Sequence, residues 1–291
     1  MPTPHNKTPI RFRTVDAVVL GLVGALVAWA ILRPQEYVQT WDLSILGRYL
    51  LRRDAQGNLE PGLLLEGFVH TIRLSLWVIV LATVVGTAIG LTRTSRRLLH
   101  RLIGWAYVGS IRNLPPLVLV FLFYYFVSRQ LIGPLGLEAV GRLEPGLLRS
   151  VLAAIAGPPA RFPAFVSAVI TLAIYEGAYI AEIVRAGIES IERGQWEAAS
   201  ALGLSRWQRM RHVIGPQALQ RIMPALGGQF ISTVKDSAIV SVISVPELTF
   251  QGKELMATRP SYGLEIWVAV AAMYLVLTLG CSVAVRRLER Q

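Results

Sequence analysis

Gln195-Trp-Glu-Ala-Ala-Ser-Ala-Leu-Gly-Leu-Ser-Arg-Trp-Gln-Arg-Met-Arg-His-Val-Ile-Gly-Pro216 is too polar to sit in lipid, yet long apolar runs flank it on both sides. The residues from Trp196 to Leu202 favour a short helix, and Gly203 can take the left-handed conformation that closes a helix without a Cβ clash. Ser205, followed three residues later by Gln208, has the spacing of a capping box that starts a second helix. The stretch is therefore predicted to fold as helix, tight turn, helix. Ala198, Ala199 and Ala201 keep the first helix thin, and Glu197 is a single negative charge among Arg193, Arg206, Arg209 and Arg211. A small, apolar, singly acidic elbow suits docking into a groove on a partner; the blander reading is a solvated connector between two spans.

Outward from the elbow, composition sets the class. The chain has 291 residues, 53% of them hydrophobic, with a mean hydropathy of +0.50, and its apolar residues are gathered into runs. That is the signature of an all-α integral membrane protein. A net charge of +11 raises nucleic acid as a partner, but the Lys and Arg residues fall in short groups between apolar runs, which suits membrane orientation instead. Cys281 is the only cysteine, so an intrachain disulfide is excluded. The first apolar run, residues 15–32, is long and lacks a small-residue cleavage site, so it reads as a retained span.

In chain order, residues 1–14 are polar and assigned to the cytoplasm, and residues 33–66 form an outer loop of mixed charge. A second span runs from about Val69 to Leu91, ending in Arg93, Arg96, Arg97 and Arg101 with no acid among them, the clearest cytoplasmic marker. A third lies within Leu102 to Val127 and is broken at Asn113-Leu114-Pro115-Pro116, where two backbone donors are missing; it either kinks there or divides into an interfacial helix and a true span. Residues 128–163 form a second outer segment with a short interfacial helix from Leu147 to Ala156. The fourth span, Ala164 to Arg185, carries Glu176 at depth, either a substrate contact or a structural partner to a neighbouring helix. Pro216 opens the fifth span, where a missing amide costs nothing; the span reaches Val234 and gives way to Lys235-Asp236-Ser237 and a short apolar piece, a re-entrant or gating element. Lys235 and Asp236 either neutralise each other or line a path. Residues 246–260 read as a polar outer loop, and the last span runs from Tyr262 to Val285 before Arg286, Arg287 and Arg290. Six transmembrane helices result, with both termini and the elbow on the cytoplasmic side.

Glu197-Ala198-Ala199, Gly203, Val213 and Pro216 resemble the cytoplasmic coupling loop of ABC importer permeases, whose pattern is Glu-Ala-Ala, Gly, Ile, Leu-Pro. The spacing is kept throughout; Val213 stands for Ile, and Gly215 stands for Leu, a change expected to loosen the start of the next helix. The run from Gly177 to Ile188, Arg112-Asn113-Leu114-Pro115-Pro116-Leu117 and Lys235-Asp236-Ser237 are similar to the polar amino-acid branch of that family. The resemblance covers residues 66–288, a permease core of the type I importer kind with the coupling loop at about 195–216; residues 1–65, holding the N-terminal tail, an extra first helix and an outer loop, lie outside it.

The resemblance implies a permease subunit in the bacterial inner membrane. It would work with a cytoplasmic ABC ATPase dimer, a second permease subunit, identical or paralogous, and a soluble extracytoplasmic substrate-binding protein. Trp196, Glu197, Ala198, Ala199, Leu202, Gly203 and Pro216 are the expected ATPase-coupling residues. Glu176, Asn113, Lys235, Asp236 and Ser237 are the candidates for the substrate path. The chain carries no Gly-x-x-x-x-Gly-Lys-[Ser/Thr] phosphate loop, no His/Cys metal cluster and no recognisable nucleophile arrangement. ATP and magnesium are accordingly expected on the partner ATPase, and no cofactor in this chain. Rival readings are an ion-coupled secondary transporter, disfavoured because no internal repeat is evident, and an ABC importer of amino-acid derivatives such as opines.

Overall fold

The structure is a computed structural model that describes residues 18, 21, 22, 24, 25, 28, 42, 44–54, 56–128, 130, 134 and 136–289. Most of the expected first span at 15–32, and Arg290, lie outside the described residues. The chain divides into two units, Met1–Asp42 and Leu43–Gln291. The second begins before residue 66 because Tyr49 packs with Leu64, Leu248 and Ile266.

The second unit opens with helix α1 (Ser44–Leu50) and a hairpin of β1 (Leu51–Arg53) and β2 (Leu59–Pro61) paired antiparallel, Arg52 opposite Glu60. Helices α2 (Leu63–Arg93), α3 (Leu98–Asn113), α4 (Pro116–Leu122), α5 (Leu147–Ala156) and α6 (Phe162–Glu189) follow. The elbow holds α7 (Arg193–Ala201) and α8 (Arg206–Arg209), and the chain ends with α9 (Gly215–Asp236), α10 (Leu248–Thr258) and α11 (Gly263–Glu289).

Among the described residues, three helices are long and apolar enough to cross a membrane, those containing α2, α6 and α11, and a fourth span results if α3 and the Pro116–Phe126 segment count as one. Their membrane windows differ in burial: 67% of that in α6 is inside the protein against 6% in α11, which makes α6 the central post and α11 a peripheral helix. Helix α9 is long enough at 22 residues but carries Gln217, Gln220, Arg221, Gln229, Lys235 and Asp236, of which Gln217, Gln229 and Asp236 are partly buried and Gln220, Arg221 and Lys235 exposed.

Helices α2 and α6 pack along Gly86 and Gly90. A Cβ at Gly86 would lie 2.6 Å from the Ile180 Cβ, and one at Gly90 2.7 Å from the Val184 Cβ. Small residues four apart form one face on which a neighbouring backbone can approach closely, the means by which helices associate without a hydrophobic driving force in lipid.

Two expectations need correcting. The segment after Pro246 is a helix rooted inside the bundle, not a polar outer loop. A 3-10 turn (Ser237–Ile243) precedes it, with Val240, Ile243 and Val245 packed among Leu74, Val78, Val120 and Leu172, and Ser244 takes a φ of +60° to turn the chain. The start of α10 is buried, so its orphan amides need partners. Glu247, fully buried, accepts from the Thr249 amide at 2.8 Å and the Phe250 amide at 2.7 Å, while the Leu248 amide donates to Thr71 Oγ1 at 3.0 Å. Tyr274 of α11 donates its hydroxyl to the same carboxylate at 2.8 Å. Glu247, one of the polar residues that suggested a loop, is used to satisfy a helix end.

Nor does Pro216 begin a new helix. Helical structure runs unbroken from Arg206 to Asp236, widening to a π turn over Met210–Ile214, with the Gly215 amide bonded to the Met210 carbonyl. The extra residue shifts the ladder register just where proline removes a donor, which is how a π bulge absorbs an irregularity inside a helix. A Cβ at residue 215 would collide with the Met210 carbonyl oxygen, so the glycine found in place of leucine belongs to this turn.

Candidate functional site

The elbow forms as its sequence dictates. Helix α7 ends at Ala201, Gly203 has a φ of +72°, and Ser205 caps α8 through a complete capping box with Gln208. In that box the Ser205 amide donates to Gln208 Oε1 at 2.8 Å and the Gln208 amide to Ser205 Oγ at 3.4 Å. Glu197 pairs with Arg193 at 3.1 Å, both side chains well exposed.

The two faces of α7 do different things. Ala199 is 1% exposed, and Trp196 packs with Ile191, Ile214, Ala218 and Ile222. These two anchor the elbow to the ends of α6 and α9. The outer side presents Glu197, Ala198, Ser200 and Leu202, the last 77% exposed, with Trp207 68% exposed beyond the turn. The thinness expected of Ala199 thus serves packing within the chain, and Ala198 and Leu202 are the small apolar groups left facing outward. Pro216 is exposed at the join with α9.

Polar ties lock the elbow in place. Gln217 Nε2 donates to Gln195 Oε1 at 3.1 Å, Arg209 to the Ser200 hydroxyl, and Arg221 to the Ser190 carbonyl. The second arm and α9 are one continuous rod, Arg206 to Asp236, about 45 Å long at 1.5 Å per residue. A displacement of the elbow is therefore transmitted directly into the bundle.

Inside the bundle, Glu176 of α6 is fully buried, its Oε2 accepting from Gln229 Nε2 of α9 at 2.6 Å. Its Oε1 is buried without a partner among the described residues. Gln229, Thr233 and Asp236 follow one face of α9, and Thr233 and Asp236 lie beside Glu176 on it. Next to them on α6 the hydroxyls of Tyr175 and Tyr179 are 3.3 Å apart, and the Arg112 guanidinium lies 5.2 Å from the Tyr179 ring centre. These groups make a polar stripe that ends at Glu182, where Arg93 of α2 and Arg185 bond the carboxylate and Arg112 approaches at 3.9 Å.

The sequence candidates separate accordingly. Glu176 and Asp236 come together; Asn113 does not join them, its Nδ2 instead donating to the Gly109 carbonyl at 2.7 Å and closing α3 at the proline break. That break is a bend of 109°. Lys235 is exposed and makes no ion pair within 4 Å among the described residues, and buried Ser237 donates to the Val234 carbonyl at 2.7 Å. Gln229, Thr233, Tyr175 and Tyr179 escaped the sequence reading. Spacings of four and seven residues along α9 mark Gln229, Thr233 and Asp236 as one polar face in a span, a signal that was there to be read.

Comparison with known proteins agrees with this architecture. Residues 79–291 match the family of binding-protein-dependent transport system inner membrane components. The chain is 39% identical over 229 residues to the glutamine transport system permease protein GlnP of Escherichia coli (strain K12), covering 79% of this chain and 92% of that one. It is 32% identical over 236 residues to the glutamate/aspartate import permease protein GltK of Escherichia coli O6:H1, covering 80% and 96%. Among solved structures, an amino acid ABC transporter crystallised with histidines superposes with a TM-score of 0.65 at 32% identity, over 87% of this chain and 99% of that one. The inward-facing methionine transporter MetNI shares the fold, with a TM-score of 0.58 at 19% identity over 78% and 95% of the two chains. With an elbow continuous with a polar-lined bundle and a family match over most of its length, the chain belongs to the binding-protein-dependent transport system inner membrane components and is a permease subunit of an ABC importer.

Proposed function

We propose that the chain imports polar amino acids, with Glu176, Gln229, Thr233 and Asp236 lining the path and the elbow receiving the motion of a partner ATPase. The observation that carries this reading is the buried Glu176 carboxylate, one oxygen of which has no partner among the described residues. An acceptor held on α6 and α9 suits an α-ammonium group, and both helices lead straight into the elbow. The names of the relatives, transporters of glutamine and of glutamate and aspartate, support the same solute class.

In this reading two permease subunits pair with two cytoplasmic ATPases, which bind ATP and magnesium, and an external binding protein delivers the solute. Both termini and the elbow lie in the cytoplasm, in keeping with the acid-free arginines at 93–101 and at the end of α11. Nucleotide closes the ATPase pair, Ala198, Leu202 and Trp207 ride in a cleft on it, and the Arg206 to Asp236 rod tilts as a rigid body, switching the path between its two openings. Trp196 and Ala199 hold the elbow to the rod rather than touching the ATPase.

The test is uptake into proteoliposomes containing the co-purified complex and its binding protein, with labelled glutamine, glutamate and arginine. Uptake that needs internal or external ATP on the elbow side and ignores an ionophore is expected. Uptake that collapses with the ionophore and ignores ATP overturns the reading.

A further inference from the structure

Helix α3 is bent by 109° from the Pro116–Phe126 segment that follows it. Arg93, just before it, and Arg112, in its last turn, reach the same Glu182 carboxylate, and Gly104 sits where any side chain would collide with Arg93. Gly104, Val108 and Ile111 are buried, while Leu98, Leu99, Leu102, Ile103 and Trp105 are all more than half exposed. Arg96, Arg97 and Arg101 flank that apolar side with no acid from residue 93 to residue 101. An exposed apolar helix face with a basic margin is the form of a segment lying at a membrane surface.

Between α3 and α6 lies a cavity of 450 Å³ lined by Arg93, Leu98, Arg101, Leu102, Trp105 and Arg185. Arg93 and Arg185 are fixed by Glu182, and Arg185 is also held by Glu189. Arg101 has no ion-pair partner among the described residues. Glu182 and Glu189 offset two of the four charges of Arg93, Arg101, Arg112 and Arg185, so the cavity keeps a positive excess beside an apolar wall.

We propose that this cavity binds the phosphate-bearing headgroup of an anionic phospholipid from the leaflet on the elbow's side. Arg101 holds the phosphate, the Arg93 and Arg185 guanidiniums beside it add positive potential, and an acyl chain lies along Leu98, Leu102 and Trp105. Guanidinium groups suit phosphate because they present several donors in one plane and are weakly hydrated, and basic pockets between helices at this level recognise such headgroups. The lipid would tie α2, α3 and α6 together at the residues adjoining the elbow.

The experiment is native mass spectrometry of the delipidated full-length permease in its co-purified complex, titrated with short-chain phosphatidylglycerol and with phosphatidylcholine of the same chain length. Phosphatidylglycerol is expected to bind about fivefold more tightly, the worth of roughly one arginine at a membrane surface. R101Q should lose most of that preference, and R286Q on α11 should keep it, with size-exclusion profiles showing both variants assembled. Equal binding of the two lipids, or an unchanged preference in R101Q, overturns the proposal. So does efficient crosslinking of R101C to a protein partner, which would put a protein in the cavity. The readout needs no transport, so its failure is distinct from a failure of the amino-acid assignment.

Discussion

Gln229 on α9 donates its side-chain amide to the Glu176 carboxylate on α6 at 2.6 Å, closing a polar contact between two helices that both run into the elbow. The bond joins residues 53 positions apart and fixes one carboxylate oxygen, while the other has no partner among the described residues. In the proposed function, both halves of that arrangement serve the path: the bonded oxygen ties it to the elbow, and the other is left for a cationic group.

Removing the carboxylate should therefore affect transport more than assembly. E176A is expected to lower solute uptake in proteoliposomes by about tenfold or more, the worth of a hydrogen bond to a charged group at roughly 1.5–3 kcal/mol. E176Q, which still accepts from Gln229, should restore assembly to wild-type yield without restoring uptake. If E176Q transports like wild type, the charge at this position plays no part in carrying solute.

The turn at Gly203, with its φ of +72°, tolerates a β-branched residue poorly. G203V should cost the elbow about 1–2 kcal/mol, the strain of the left-handed conformation for an L-residue, and shift the position of α7 relative to α8. We expect the complex carrying it to hydrolyse ATP with little uptake, measured together in the same proteoliposomes. Uptake at the wild-type rate would show that the turn is not needed for coupling.

Outward and inward positions on α7 should respond differently to labelling. A198C is expected to crosslink to the ATPase, and A199C, buried at 1% exposure, to stay unreactive until the complex is denatured. L202D should weaken ATPase binding by about 10–100-fold, since burying a leucine contributes roughly 1.5–3 kcal/mol. Reaction at 199 and not at 198 would invert the assignment of the two faces.

Glu247 supports the buried start of α10. E247A strands the amides of Thr249 and Phe250, each costing about 1–3 kcal/mol when buried without a partner. A clear fall in the unfolding temperature of the detergent-solubilised permease is expected, and E247Q should recover part of it because one acceptor oxygen remains. A thermal profile like the wild type for E247A would mean that water reaches this helix start.

Much of the elbow could be read from sequence because its determinants are local. Ser205 and Gln208 are three residues apart, and Gly203 acts through its own φ, so neighbouring positions suffice to specify turn and cap. The apolar runs around Leu63–Arg93, Phe162–Glu189 and Gly263–Glu289 are equally legible, since a lipid span is defined by length and composition. Tertiary structure alone decided the rest. Gln229 finds Glu176, Thr71 completes the start of α10, and Glu182 gathers Arg93 and Arg112. In each case a polar group that reads as a loop residue or an isolated charge is matched by one far away in the chain. Inside a membrane a buried polar atom must be satisfied by the protein itself, and which partner does so depends on how the helices are packed.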